Sequence, residues 1–221
     1  MDVFERALLY ALSRQGEFWQ AVSQHLLLTV SAVVIALIIA LPLGIGTARS
    51  RWMSLTVINS VNALRVVPSL AVLFLVIPYF GLSATAAVVA LTILAIPPIL
   101  LNTDAAFRSL DPGLIEAARG MGMSPLQILT RVELPLALPV ILTGMRTATV
   151  DVMASATLAA FVGSGGLGIY ITRGFALYDY SILMVGAIPV ALLTLGAEAA
   201  LALLQRLTQP LRASLVVEYS D

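Results

Sequence analysis

The sequence predicts an all-α membrane protein, and three observations carry that prediction. Apolar residues fill 60% of the 221 positions and charged residues only 11%, where ordinary soluble domains hold about 45–50% and about 25%. Mean hydropathy is +1.00. The apolar residues also run in long continuous stretches rather than in the alternating pattern of transmembrane β-strands. So few charges cannot cover so much apolar surface in water. A soluble globule, a disordered chain, a collagen and a disulfide scaffold are excluded. The zero net charge offers nothing to nucleic acid. With no cysteine and His25 as the one histidine, neither a disulfide nor a metal site is expected. Every basic residue is Arg, which removes lysine chemistry.

The N-terminal segment, residues 1–25, carries Asp2, Glu5, Arg6, Arg14 and Glu17 and does not read as a signal peptide. Phe4, Leu8, Leu9 and Leu12 share one helical face, so an amphipathic helix lying at the membrane interface is expected. A transmembrane domain over 26–205 follows. A span needs about 20 apolar residues, and five stretches qualify. Leu26 to Ala48 has no charge, and His25 at its start is expected at the interface. Ser54 to Phe80 is overlong and holds Arg65, Pro68 and Ser69. Proline interrupts helix hydrogen bonding there, which makes a candidate hinge or gate. Ala84 to Thr103 has no charge; Leu136 to Val162 holds Arg146 and Asp151; Ser181 to Gln205 holds Glu198. The tail, 206–221, is short.

Each intramembrane charge costs roughly 2.5–3.5 kcal/mol at mid-span on insertion scales. Arg65, Arg146, Asp151 and Glu198 must therefore meet a partner, a cavity or an interface. Arg146 and Asp151 lie about 140° apart around one helix and do not pair easily. Two readings stay open for these charges: pairing between spans or subunits, and lining a solute path.

The segment 104–134 is a long connection whose sequence reads as structured. Asp111 before Pro112 is a helix start. Gly120 and Gly122 supply a stop. Ser124 with Gln127 has capping-box spacing ahead of a second helix reaching Pro135. Glu116 and Arg119 are spaced for an ion pair within the first helix. Arginine placement sets orientation. Arg49, Arg51, Arg108, Arg119, Arg131, Arg206 and Arg212 share one side, and Arg6, Arg14 and Arg173 the other. The positive-inside rule places the N-terminus outside and the C-terminus in the cytoplasm. Tyr79, Phe80, Phe161, Tyr170, Phe175, Tyr178 and Tyr180 then gather on the outer side as an interfacial belt.

Glu116-Ala117-Ala118, three residues, Gly122, nine residues, then Val132-Glu133-Leu134-Pro135 resembles the cytoplasmic EAA motif of ABC-importer permeases, with Val132 in place of Ile. The stretches 25–28, 41–44, 67–71, 144–148, 156–160 and 163–168 are similar to the glycine betaine, choline and carnitine branch of that family. Asp151 falls outside the pattern of that branch. The resemblance implies a type I permease fold of five helices, N-terminus out and C-terminus in, in a bacterial inner membrane. It implies a non-catalytic subunit without a cofactor, paired with a second permease as homo- or heterodimer. ATP and Mg would be bound by cytoplasmic ATPase subunits, and a separate binding protein would deliver the solute. The ATPase-coupling residues implied are Glu116, Ala117, Ala118, Arg119, Gly122, Met123, Leu134 and Pro135. Small Ala117 and Ala118 suit close approach to a partner, and Gly122 suits chain reversal. Arg65, Pro68, Ser69, Arg146 and Asp151 are candidates for the path or gate.

Two other patterns carry no chemistry. Gly163-x-Gly165-x-x-Gly168 matches a dinucleotide fingerprint but follows a membrane stretch instead of a strand, so a flexible turn is expected. Ser164 lacks the glycine two positions earlier that a hydrolase elbow needs. A permease for another small solute such as an amino acid is the alternative, and a stand-alone channel or membrane enzyme the reading from a different class.

Overall fold

The computed structural model describes residues 2–208. Among them all regular structure is helical. Most of the expected tail, together with Arg212, lies outside the described residues.

Helix α1 spans Val3–Ser13 and α2 spans Gln15–Arg49. Asp2 caps α1 through a reciprocal box with Glu5. Phe4, Leu8, Leu9 and Leu12 are exposed, as the amphipathic reading requires, while Ala7 is buried. The expected single segment 1–25 is nevertheless two pieces. The chain breaks at Arg14, and Gln15 to His25 form the first turns of α2. Nothing in that stretch stops a helix, so α2 extends well upstream of the apolar run. Its 35 residues reach about 52 Å, longer than the roughly 30 Å hydrocarbon layer. His25, expected at the interface, is fully buried.

Helices α3 (Arg51–Met53) and α4 (Asn59–Leu64) are joined by a π-helical turn, and α5 spans Ser69–Phe80. The expected overlong span is a bent pair: Arg51–Leu64 and Ser69–Phe80 meet at 100°. Pro68 has no N–H and excludes its predecessor from helical geometry, so the α4 ladder ends with Val67 N–H donating to the Leu64 carbonyl, 3.1 Å.

Helix α6 (Ala84–Arg108) starts at a Ser83 cap and forms the centre of the bundle. Ala86, Ala87, Ala90, Leu91, Ala95, Ile99 and Leu100 are wholly buried, facing α2 residues such as Ala32, Ala36 and Ala40. Small residues let backbones in lipid approach closely. At Gly44 a β-carbon would stand 2.6 Å from Thr103 Cβ, and at Gly144 it would stand 2.7 Å from the Pro98 carbonyl.

Helix α7 spans Pro112–Gly120, α8 spans Pro125–Ile128 and α9 spans Leu134–Ala156. The expected division between a loop helix ending at Pro135 and a span starting at Leu136 is absent, because Pro125–Ala156 is one continuous run. A π-helical turn over Leu129–Glu133 ends two residues before Pro135 and makes room for its ring. A 3-10 turn, Leu158–Val162, and the left-handed residues Gly163, Gly165 and Gly166 close this run. The turn expected there leads into a further helix, α10 (Gly168–Ala176), before α11 (Tyr180–Thr208). Among the described residues four helices are long and apolar enough to cross a membrane, and the bent pair makes five when taken as one span.

Candidate functional site

The region 111–135 forms a helical hairpin whose local geometry follows from its sequence. Asp111 Oδ1 accepts from the Gly113 N–H at 2.8 Å and opens α7. At the far end Gly122 adopts φ +79. Gly122 N–H donates to the Arg119 carbonyl at 2.9 Å and Met123 N–H to the Ala118 carbonyl at 3.2 Å, which closes the helix in a Schellman turn. Ser124 N–H donates to Gln127 Oε1 at 2.8 Å and Gln127 N–H to Ser124 Oγ at 3.4 Å, so α8 opens on the expected capping box. Of the two expected stops, Gly122 reverses the chain and Gly120 stays helical.

The coupling candidates differ in exposure. Glu116, Ala117, Arg119 and Gly122 are exposed, and Glu116 and Arg119 border one cavity with Phe107 and Ile115. Ala118 is 2% exposed and faces inward, so of the two small residues only Ala117 is presented outward. Arg119 and Met123 line a cavity of about 480 Å³ between the hairpin and the ends of α2 and α6, with Arg49, Phe107, Ile115 and Glu133. Among the described residues Glu116 and Arg119 form no ion pair, contrary to the spacing expectation. Leu134 packs with Ala106, Phe107, Ala137 and Ile141, while Pro135 is exposed.

The base of the hairpin is fastened by Arg49 at the end of α2, which pairs with Glu133. Arg108 adds a second tie, donating to the Thr47 carbonyl at 2.7 Å while bound to Asp104. It thereby satisfies a carbonyl at the α2 C-terminus, where a cation is favoured. Neither role was visible in the sequence reading. The available signal was Glu133, an acid between apolar Val132 and Leu134 that needs a cation from elsewhere.

The pathway candidates also divide. Arg65, Pro68, Ser69 and Asp151 line one cavity of about 470 Å³, together with Pro97, Pro98 and Ser155. Arg146 is not among its lining residues. Its Nε donates to Glu198 Oε1 at 3.1 Å and its Nη1 to Gln205 Oε1 at 2.6 Å. Gln205 in turn donates to the Pro139 carbonyl at 2.9 Å. Arg146 thus ties α9 to α11, and Glu198 is its counter-charge. Asp151 also borders a second cavity, of about 450 Å³, with Arg146 and Glu198. At the other end of α9, Gln24 Oε1 accepts from Gly166 N–H at 3.1 Å, which gives the glycine turn a fixed attachment to α2. Among the described residues no three His, Asp or Glu side chains gather as metal ligands.

The geometry can be compared with known proteins. Residues 32–210 match the family model described as binding-protein-dependent transport system inner membrane component. The chain is 45% identical to the carnitine transport permease protein OpuCB of Listeria monocytogenes, over 84% of this chain and 85% of that protein. It is 38% identical to the choline transport system permease protein OpuBB of Bacillus subtilis, over 88% and 90%. It is also 38% identical to the osmoprotectant import permease protein OsmW of Salmonella typhimurium, over 91% and 96%. The fold resembles a chain of the inward-facing MetNI methionine ABC transporter with a TM-score of 0.79 and 25% identity, covering 89% of this chain and 98% of that one. The chain therefore belongs to the binding-protein-dependent transport system inner membrane components, as a multi-pass, non-catalytic permease subunit of an ABC transporter.

Proposed function

We propose that this permease imports a small osmoprotectant such as glycine betaine, choline or carnitine, received from a separate binding protein and driven by cytoplasmic ATPase subunits that hold ATP and Mg. The observation that carries the coupling part is the capped hairpin 111–135, with Glu116 and Ala117 turned outward and its base tied by Arg49 to Glu133. A short helix stopped at a defined point and fastened at its root passes a push to the bundle without bending. Glu116, Ala117, Ala118, Arg119, Gly122, Met123, Leu134 and Pro135 form or brace that surface. The solute class is supported by the carnitine, choline and osmoprotectant relatives.

In this reading the chain crosses the membrane five times, with the N-terminus outside and the hairpin in the cytoplasm. A second permease, identical or related, completes the path. Arg65, Pro68, Ser69 and Asp151 border that path, and Arg146 braces α9 against α11 at its edge. The test is reconstitution with the ATPase and binding protein in vesicles. ATP hydrolysis and uptake are expected to respond to binding protein loaded with glycine betaine, carnitine or choline. A response to amino acids alone would replace the solute class. An active protein that binds no ATPase would favour a stand-alone channel.

A further inference from the structure

We propose that the cavity at the α4–α5 break is a solute site within the permease itself, and that Arg65 and Asp151, which both line it, make it selective for zwitterions. This rests on the reading of the chain as an importer of quaternary amines and names how that path sorts them.

The cavity measures about 470 Å³, within the roughly 300–1,000 Å³ of small-molecule sites. It lies where the span is broken, and irregular backbone at membrane depth is tolerated where it lines a cavity. Discontinuous helices of this kind are where transporters place their ligands. One wall carries Arg65 and the start of α5, where Pro68 provides no side-chain cap. The guanidinium and the positive end of the helix dipole both favour a carboxylate there. Helix α9 contributes Asp151 and Ser155 to the same cavity. Among the described residues neither Arg65 nor Asp151 forms an ion pair, although one cavity holds both. Each charge therefore keeps its binding capacity for a ligand.

A zwitterion with a carboxylate at one end and a quaternary ammonium at the other answers both charges at once. A cation without a carboxylate answers Asp151 and leaves Arg65 uncompensated. Among the described residues no aromatic ring lines the cavity, so this chain's charges, and not an aromatic cage from these residues, hold the cation. A quaternary ammonium has no N–H to donate, and its attraction to Asp151 is Coulombic alone. Such a site binds and releases readily, as conduction requires.

The chain has no cysteine, so Ser155→Cys introduces a single thiol into the cavity. The experiment measures its maleimide labelling in the transporter assembled with its ATPase and binding protein in vesicles, alongside uptake. Glycine betaine and carnitine are expected to slow labelling at lower concentration than choline. Arg65→Gln should raise the glycine betaine concentration needed by about tenfold or more, the loss of one charged partner, and leave choline protection intact. Retained choline protection also shows that the variant is folded. Asp151→Asn should weaken both. Labelling indifferent to glycine betaine in a transporter that imports it would overturn the site. So would Arg65→Gln shifting choline and glycine betaine alike. If the parent transporter imports no quaternary amine, the transport reading falls instead. The site then stands or falls on whether proline, a second zwitterion, protects Ser155→Cys in a way that needs both Arg65 and Asp151.

Discussion

The joint between α7 and α8 and the joint between α10 and α11 share one hydrogen-bond pattern but differ in the residue at their centre. In the first, Gly122 and Met123 donate back to Arg119 and Ala118; in the second, Tyr178 and Asp179 donate back to Phe175 and Gly174, at 3.2 and 2.9 Å. Each joint then opens its next helix on a polar cap, Ser124 in one and Asp179 in the other. The central residue is left-handed in both, with φ +79 at Gly122 and +52 at Tyr178. A non-glycine residue there costs roughly 1–2 kcal/mol. The α10–α11 joint tolerates that cost because its helices are locked together: a β-carbon on Gly174 would stand 2.4 Å from the Leu183 nitrogen. In α7 only Ala118 is buried. The hairpin is held by its turn, and the α10–α11 joint by its packing.

Gly122→Val should have the largest effect. A β-branched residue is a backbone outlier at positive φ, and a cost of about 2 kcal/mol changes a folded-to-unfolded ratio by roughly 30-fold. The hairpin is expected to lose its fixed form while insertion and the bundle survive. Uptake in vesicles should then fall by about that factor, with ATP hydrolysis no longer answering to loaded binding protein. Unchanged uptake would remove the hairpin from the coupling role. Second in size is the tie at its base. Arg49→Ala strands a buried acid, since Glu133 is 7% exposed, whereas Glu133→Ala leaves an arginine side chain that is 52% exposed. The first should cost more than the second, nearer the about 3 kcal/mol of a broken buried pair than the about 1 kcal/mol of an exposed one. Thermal stability of the two single variants in detergent measures the difference, and a double-mutant cycle with no coupling between them would show that the pair is not what fastens the hairpin.

Tyr178→Gly tests the other joint and should move stability upward. Relief of the left-handed strain outweighs the added freedom of the unfolded chain by about 1 kcal/mol or less. Tyr178 is 88% exposed, so little packing is lost. A higher melting temperature with unchanged uptake is expected. Lower stability would mean that packing does not decide this joint.

The two joints also differ in how far the sequence discloses them. Asp111-Pro112, Gly122 and the Ser124–Gln127 box are local signals, each satisfied by atoms a few residues away, and the hairpin forms as they indicate. Helix α10 begins at Gly168 after three left-handed glycines and is held by α11, from a distant part of the chain; no local signal announces it. The same division runs through the charges. That Arg65, Arg146, Asp151 and Glu198 need partners follows from their presence in apolar spans. That Glu198 and Gln205 serve Arg146 while Arg65 and Asp151 face one cavity depends on helix rotation, which hydropathy does not encode. The burial of His25 is hidden for the same reason: the first helix begins upstream of the apolar run that marks it.

The smallest effect belongs to the cap of the packed joint. Asp179 Oδ1 accepts from the Ser181 N–H at 2.8 Å, and this backbone bond holds the carboxyl below the usual aspartate range. A folded pKa below the unfolded value of about 3.9 means the cap stabilises α11 above that pH. The contribution is lost as pH falls through the folded pKa. Asp179→Ala should therefore melt slightly below the parent near neutral pH, and the gap should close on acidification, because the parent loses what the variant never had. Asp179→Asn accepts the same bond without titrating and should keep its cap across the range. A gap between parent and Asp179→Ala that persists unchanged into acid would mean that the carboxylate is not what starts α11. The joint would then rest on the α10–α11 contact alone, which is the sharpest form of its difference from the hairpin.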